Sequence, residues 1–195
     1  MAVLCFGGSF NPIHHGHLIC ARAVAESKSF SKVVLIPSAL PPHKQNAATM
    51  AAAKDRLAMC RLAVEGDPFF EVDDLELNRS GPSYTIDTAQ ALARNLGEKV
   101  HWLIGADMLL DLPTWHRPQE LLREVEFVVM ARPGWSIDWS KLPPEMRKLE
   151  ANVVEAPRID ISATDIRGRV RAGLSIAYLT SPNVCQYIHK QALYR

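Results

Sequence analysis

The chain has 195 residues, of which 48% are hydrophobic and 22% charged, the proportions of an ordinary globular domain with a sizeable buried core. Its 22 Lys and Arg against 21 Asp and Glu leave a formal charge of +1, which excludes the broad basic footprint of a duplex nucleic-acid binder or of a protein held on an acidic membrane. Any phosphate ligand has to be met by local groups.

The opening Val3-Leu4-Cys5-Phe6 is a short apolar run ended by Gly7-Gly8, after which Leu18, Ile19, Ala21, Val24 and Ala25 recur at helical spacing. This predicts strand, glycine loop, helix. Residues 32–36 repeat the strand pattern, 37–45 form a proline-rich loop, and 49–66 read as a helix. Strands are then expected at 69–72, 100–104, 127–131 and 152–155, with helices from Ser83 or Tyr84 to Gly97, over 162–172 and over 183–193. The stretch 133–144, rich in proline and tryptophan, reads as an irregular insertion.

Such alternation predicts an α/β fold: one doubly wound, Rossmann-like parallel sheet with helices on both faces, a single domain over 1–195 whose part from about 162 is helical. Ligands are expected at the carboxyl ends of the strands. Cys5, Cys20, Cys60 and Cys185 are scattered through apolar segments without C-x-x-C spacing, as reduced thiols of a cytoplasmic protein would be. No apolar run resembles a signal peptide or approaches membrane-spanning length. The expected partners are small molecules, with neither nucleic acid nor membrane among them.

The first loop reads Gly7-Gly8-Ser9-Phe10-Asn11-Pro12-Ile13-His14-His15-Gly16-His17. Gly7 and Gly8 permit a tight turn and close backbone approach, and the helix that follows directs free N–H groups at an anion. His14 and His17 lie about one helical turn apart, so both imidazoles can donate to one bound group. Gly16 leaves room for a flat base. Two plainer readings compete: surface or capping histidines, and a zinc site, for which His15 should point away and no nearby carboxylate or cysteine completes the shell.

This loop resembles the G-x-F-x-P-x-H-x-G-H signature of the nucleotidyltransferase superfamily. The resemblance implies that residues Gly7, Gly8, Ser9, Phe10, Gly16 and both His14 and His17 hold ATP, the histidines stabilising charge at the α-phosphorus and on departing pyrophosphate. Ile161-Ser162-Ala163-Thr164-Asp165-Ile166-Arg167 places hydroxyls and a guanidinium at a helix start, where Ser162 is a natural N-cap and Asp165 a capping-box acid. It resembles the superfamily's I-S-x-T-x-I-R signature, which implies that Ile161, Ser162, Thr164 and Arg167 grip the β- and γ-phosphates.

Further along stand Pro41-Pro42-His43-Lys44, Pro82-Ser83-Tyr84-Thr85, Gly105-Ala106-Asp107, Leu112-Pro113-Thr114-Trp115 and Ala131-Arg132-Pro133-Gly134. Singly, each has a structural reading: a stiff loop, a helix cap, a core tryptophan. In this order they resemble the bacterial nicotinate-nucleotide adenylyltransferases across essentially the whole chain. That resemblance implies an enzyme of NAD biosynthesis that transfers AMP from ATP to nicotinate mononucleotide. His43 and Lys44 would approach phosphates, and Ser83, Tyr84 and Thr85 would hold the pyridine carboxylate. Asp107 would meet ribose, Trp115 would stack on the pyridine, and Gly105 and Arg132 would touch the acceptor. The expected catalytic set is His14, His17, Lys44 and Arg167, with Mg²⁺ arriving on ATP rather than in a protein cage. Asn11 departs from the aspartate frequent at its position. The alternatives are adenylyl transfer to nicotinamide mononucleotide or another phosphate acceptor, and a catalytically silent nucleotide-binding module.

Overall fold

The computed structural model describes residues 2–42 and 50–195. Strands β1 (Val3–Gly8), β2 (Lys32–Pro37), β3 (Phe70–Val72), β4 (Val100–Gly105), β5 (Val125–Ala131) and β6 (Val153–Glu155) form one sheet. All its pairings are parallel, in the order β3-β2-β1-β4-β5-β6. The chain winds outward from β1 in one direction, then returns to lay β4 on its other side. The expected doubly wound fold is what forms, and its switch point lies between β1 and β4.

The period-two alternation of the strands divides the core. Leu4, Phe6, Val33, Leu35, Leu103 and Val128 face one layer, with α1 (His15–Ser27), α2 (Ala53–Ala63), α6 (Ala163–Arg171) and α7 (Pro182–Lys190) packed on it. Cys5, Val34, Ile36, Trp102, Ile104, Phe127 and Val129 face the other, under α3 (Thr85–Leu96), α4 (Ala106–Asp111) and α5 (Pro118–Glu124). Burying both faces explains why the strands read as near-continuous apolar runs. Helix α3 stops where Gly97 takes a left-handed φ of 72°, a conformation glycine adopts without a Cβ penalty.

Most predicted elements appear within a residue or two, but α2 starts at Ala53, after a non-helical 50–52. Two helices were not predicted. Helix α4 starts directly from the end of β4, and α5 starts at Pro118, both too short to repeat an apolar period. The 133–144 stretch holds a 3-10 turn at Trp139–Lys141, and a longer 3-10 segment, Pro144–Asn152, follows it.

Candidate active site

The turn after β1 is not made by the glycines. Gly7 and Gly8 both belong to the strand, and the chain turns at Phe10, with a φ of 42°. What the glycines supply is closeness: a Cβ on Gly7 would overlap the Trp102 ring at Cζ2, and one on Gly8 would stand 3.1 Å from Phe10 Cζ. The backbone of β1 is thereby laid flat on two aromatic rings at the mouth of the sheet.

His14 caps α1 in an extended conformation, and His17 sits one turn on. Their rings stack with centroids 3.6 Å apart at an angle of 24°. The His14 backbone N–H donates to His17 Nδ1 at 3.3 Å, which leaves the proton of a neutral His17 ring on Nε2. Phe10 meets the same ring edge-on at 5.2 Å. His14 is only 6% exposed, and burial, with a smaller contribution from His15, brings its pKa down to about 4. In the free protein it is therefore a neutral imidazole. Its buried Nδ1 faces the His17 N–H in a capping-box arrangement without completing a hydrogen bond to it, which leaves it able to meet a bound group.

The start of α1 keeps one amide available. The His15 N–H is taken by the Leu179 carbonyl and the His17 N–H by the His14 carbonyl, whereas the Gly16 N–H has no protein acceptor among the described residues. A Cβ on Gly16 would approach His14 Nδ1 to 3.1 Å and Ile159 Cγ2 to 3.4 Å. The missing side chain lets the His14 ring lie over the helix start. An open amide at the positive end of a 13-residue helix, beside two imidazoles, suits a phosphate.

Distant segments fix this loop from every side. Thr180 Oγ1 donates to the Ile13 carbonyl at 2.9 Å. Asn11 Oδ1 accepts from the Ala51 N–H at 3.0 Å and from the Tyr194 hydroxyl at 2.7 Å. Arg167 Nη1 donates to the Asn11 carbonyl at 2.8 Å, and its Nη2 to Thr164 Oγ1 at 3.2 Å. Ser162 Oγ accepts the Asp165 N–H at 3.0 Å, so it is the N-cap of α6, and it donates to Asp165 Oδ2 at 2.7 Å. The side chain at position 11 thus works as a neutral buried acceptor.

Two cavities open at the carboxyl ends of β1 and β4. The larger, about 590 Å³, is lined by His14, Gly16, His17, Asp107, Arg132, Ile161 and Ser162 among others. The smaller, about 270 Å³, is lined by Gly7, Gly8, Ser83, Tyr84, Thr85 and Trp115, with Trp102, Glu76 and His116. Ser9, Phe10, His17 and Gly105 line both. Thr164 and Arg167 stand further along α6, against the first loop. Asp107 and Arg132, expected beside the acceptor, lie on the histidine side. A Cβ on Gly105 would collide with Asp107 Oδ1, so the carboxylate folds back over the seam between the cavities. His43 and Lys44 lie outside the described residues.

Thr85 lines the smaller cavity, and its amide and that of Ile86, at the start of α3, have no protein acceptor among the described residues. Ser83 Oγ is committed elsewhere, accepting the Ala39 and Leu40 N–H groups at 2.9 and 3.1 Å. Tyr84 stacks on His116 with centroids 4.1 Å apart. His116 and Glu76 were not anticipated. Glu76 is 4% exposed and accepts from Thr88 Oγ1 at 2.8 Å; burial pushes its pKa up, against the hydrogen bonds of Ser83 and Thr88. Neither residue belongs to a local motif. Among the described residues, no group of three or more His, Cys, Asp or Glu side chains is placed to hold a metal ion. All four cysteines are free thiols, and no helix among the described residues is long and apolar enough to cross a membrane.

Two cavities thus meet at a histidine loop on the switch point of a parallel sheet, the arrangement of a candidate nucleotidyl-transfer site. A family model described as cytidylyltransferase-like matches residues 5–169. A protein of Geobacillus kaustophilus described as "Probable nicotinate-nucleotide adenylyltransferase" is 42% identical over 190 residues, covering 97% of this chain and 84% of the relative. One of the same description from Herpetosiphon aurantiacus is 41% identical over 192 residues, 96% of each chain. The structure of Plasmodium falciparum nicotinic acid mononucleotide adenylyltransferase complexed with NaAD superposes with a TM-score of 0.79, covering 100% of this chain and 98% of that one. At 18% identity that likeness is one of fold. The chain belongs to the nicotinate-nucleotide adenylyltransferases, within the cytidylyltransferase-like family.

Proposed function

We infer that this protein transfers the adenylyl group of ATP to nicotinate mononucleotide, giving nicotinate adenine dinucleotide and pyrophosphate, a step of NAD biosynthesis. The observation that carries the mechanism is the seam: both cavities are lined by Ser9, Phe10, His17 and Gly105. Reactants bound one in each meet at His17.

In this reading ATP occupies the larger cavity. Its phosphates lie against the Gly16 amide, His14 and His17, its ribose near Asp107, and its β- and γ-phosphates toward Ser162, Thr164 and Arg167. Nicotinate mononucleotide occupies the smaller one, its carboxylate on the Thr85 and Ile86 amides and its ring against Trp115. An electron-poor pyridinium is attracted to the indole face. Arg132 then serves ATP rather than the acceptor. Lys44 and His43 complete the phosphate-facing set.

An oxygen of the 5′-phosphate attacks the α-phosphorus in line. A phosphorus–oxygen bond forms there, the bond to the α–β bridging oxygen breaks, and pyrophosphate leaves with that electron pair. The nucleophile is already an anion, so no general base is required. The chain contributes alignment and charge stabilisation: His17 Nε2–H and the Gly16 amide donate to oxygens whose charge grows in the transition state. His14, neutral when the site is free, gains basicity beside a bound polyphosphate. The described residues make no metal cage, so Mg²⁺ would be held chiefly by the triphosphate that brings it, and no step above depends on it. The free thiols suit a reducing compartment, the cytoplasm.

Pyrophosphate release from ATP, followed in parallel with nicotinate mononucleotide, its amide analogue and phosphopantetheine, tests the reading. Fast release with the acid, slower with the amide and none with phosphopantetheine is expected. Silence with all three would overturn it, and equal rates with acid and amide would remove carboxylate recognition at Thr85.

A further inference from the structure

Helix α2 buries a cation. Arg56 is 1% exposed and sits in register with Met59 and Cys60, so it points into the core that those residues fill. Each edge of its guanidinium reaches a different stretch of backbone: Nε donates to the Ala51 carbonyl at 3.0 Å, Nη1 to the Ser9 carbonyl at 2.7 Å and Nη2 to the Ala39 carbonyl at 3.1 Å. No carboxylate forms an ion pair with it among the described residues. Burying an arginine without a paired carboxylate is costly, and three carbonyl dipoles with the more distant charge of Glu76 only partly offset that cost. A stability role alone would be met more cheaply by a leucine.

The three carbonyls are those on which the site depends. Ser9 lies in the histidine loop and lines both cavities. Ala39 follows β2, and its amide and that of Leu40 are bound on their other side by Ser83 Oγ, at the start of α3 and in the smaller cavity. Ala51 donates its own N–H to Asn11, again in the first loop. Arg56 thus touches the histidine loop and, through a single peptide, the wall of the acceptor cavity.

We propose that Arg56 is a positioning residue for the transfer, its guanidinium fork setting the histidine loop against the Ala39–Ser83 wall so that two bound reactants meet in line. The proposal rests on the two-cavity reading above. It predicts a defect in the meeting of the reactants, not in the binding of either. A lysine keeps the charge but cannot serve three divergent carbonyls, and a displacement near 1 Å between reacting groups costs about a hundredfold in rate.

The test is Arg56→Lys beside Arg56→Met, with folding verified by circular dichroism and each variant assayed well below its own unfolding midpoint. Dissociation constants for a non-hydrolysable ATP analogue and for nicotinate mononucleotide, each alone, should stay within about threefold of the parent while kcat falls by roughly tenfold to a hundredfold in both variants. A kcat within about twofold of the parent in a folded variant overturns the proposal, as does a loss carried wholly by KM, which would make Arg56 a binding charge. If both variants fail to fold, the parent protein decides through its Arg56 guanidinium NMR signals. These should shift on binding both ligands together beyond the sum of each alone, and additive or absent shifts overturn the idea. A parent with no transfer activity would sink the functional reading instead, so the two failures are distinct.

Discussion

Arg167 Nη1 donates to the main-chain carbonyl of Asn11 at 2.8 Å, joining the start of α6 to the loop after β1 across 156 residues of sequence. The two motifs are therefore one structure, each holding the other in place. Arg167→Ala removes the link and a cation together. Turnover should fall on the order of a hundredfold, with KM for ATP also raised, as steady-state kinetics on the folded variant will show. Arg167→Lys, which keeps the charge but not the fork, should recover only part of the loss. Full recovery would mean that charge alone matters at this position.

His17→Ala should isolate the chemical step. The ring is partly exposed at the seam and its loop is anchored by Arg56, Thr180, Tyr194 and Arg167, so its loss leaves the loop standing. What disappears is an aimed donor, and removing one such donor costs roughly a hundredfold or more in kcat. Single-turnover assays with saturating ATP will show whether the loss lies in chemistry. A near-normal rate would remove His17 from the transition state.

The fold was legible because burial on both faces leaves an apolar signature in every strand, and the histidine loop because its chemistry is contiguous. Ser162 was readable as an N-cap, since capping is decided by neighbours three residues apart. Arg56 carried a faint signal, a charge at an apolar helical position, but the carbonyls it binds come from three separate segments that no local pattern connects. Tyr194 and Asn11 meet only once the last turn packs on the first loop. The division of Asp107 and Arg132 from Trp115 depends on which side of the β1–β4 seam each strand end faces, and residue order along the chain does not encode that.

Gly7→Ala should damage the acceptor side. The new methyl would overlap the Trp102 ring, itself 3% exposed and packed in the core. The ring has to move into the smaller cavity or push β4 away from β1, and overpacking of this kind costs about 1–3 kcal/mol. Urea unfolding with tryptophan fluorescence will read the stability change. KM for nicotinate mononucleotide should rise more than KM for ATP, because Gly7 and Trp102 line only the smaller of the two cavities.

His14 makes stability depend on pH in a defined window. Its pKa is about 4 in the folded chain against an ordinary 6.5, so between those values the unfolded chain binds the proton and the folded chain does not. Stability therefore rises with pH across this window and is lost as pH falls from 6.5 toward 4, by about 3 kcal/mol in all from this group. Unfolding midpoints measured from pH 7.5 to 4 should flatten in His14→Gln relative to the parent, the amide having no proton to gain. A bound polyphosphate reverses the balance, since protonating the imidazole beside it is favourable. With a non-hydrolysable ATP analogue present, the folded-state pKa rises toward the ordinary 6.5 and the acid loss across this window should therefore be smaller than in the free protein. If the analogue leaves the pH profile of the parent unchanged, His14 does not face the phosphates.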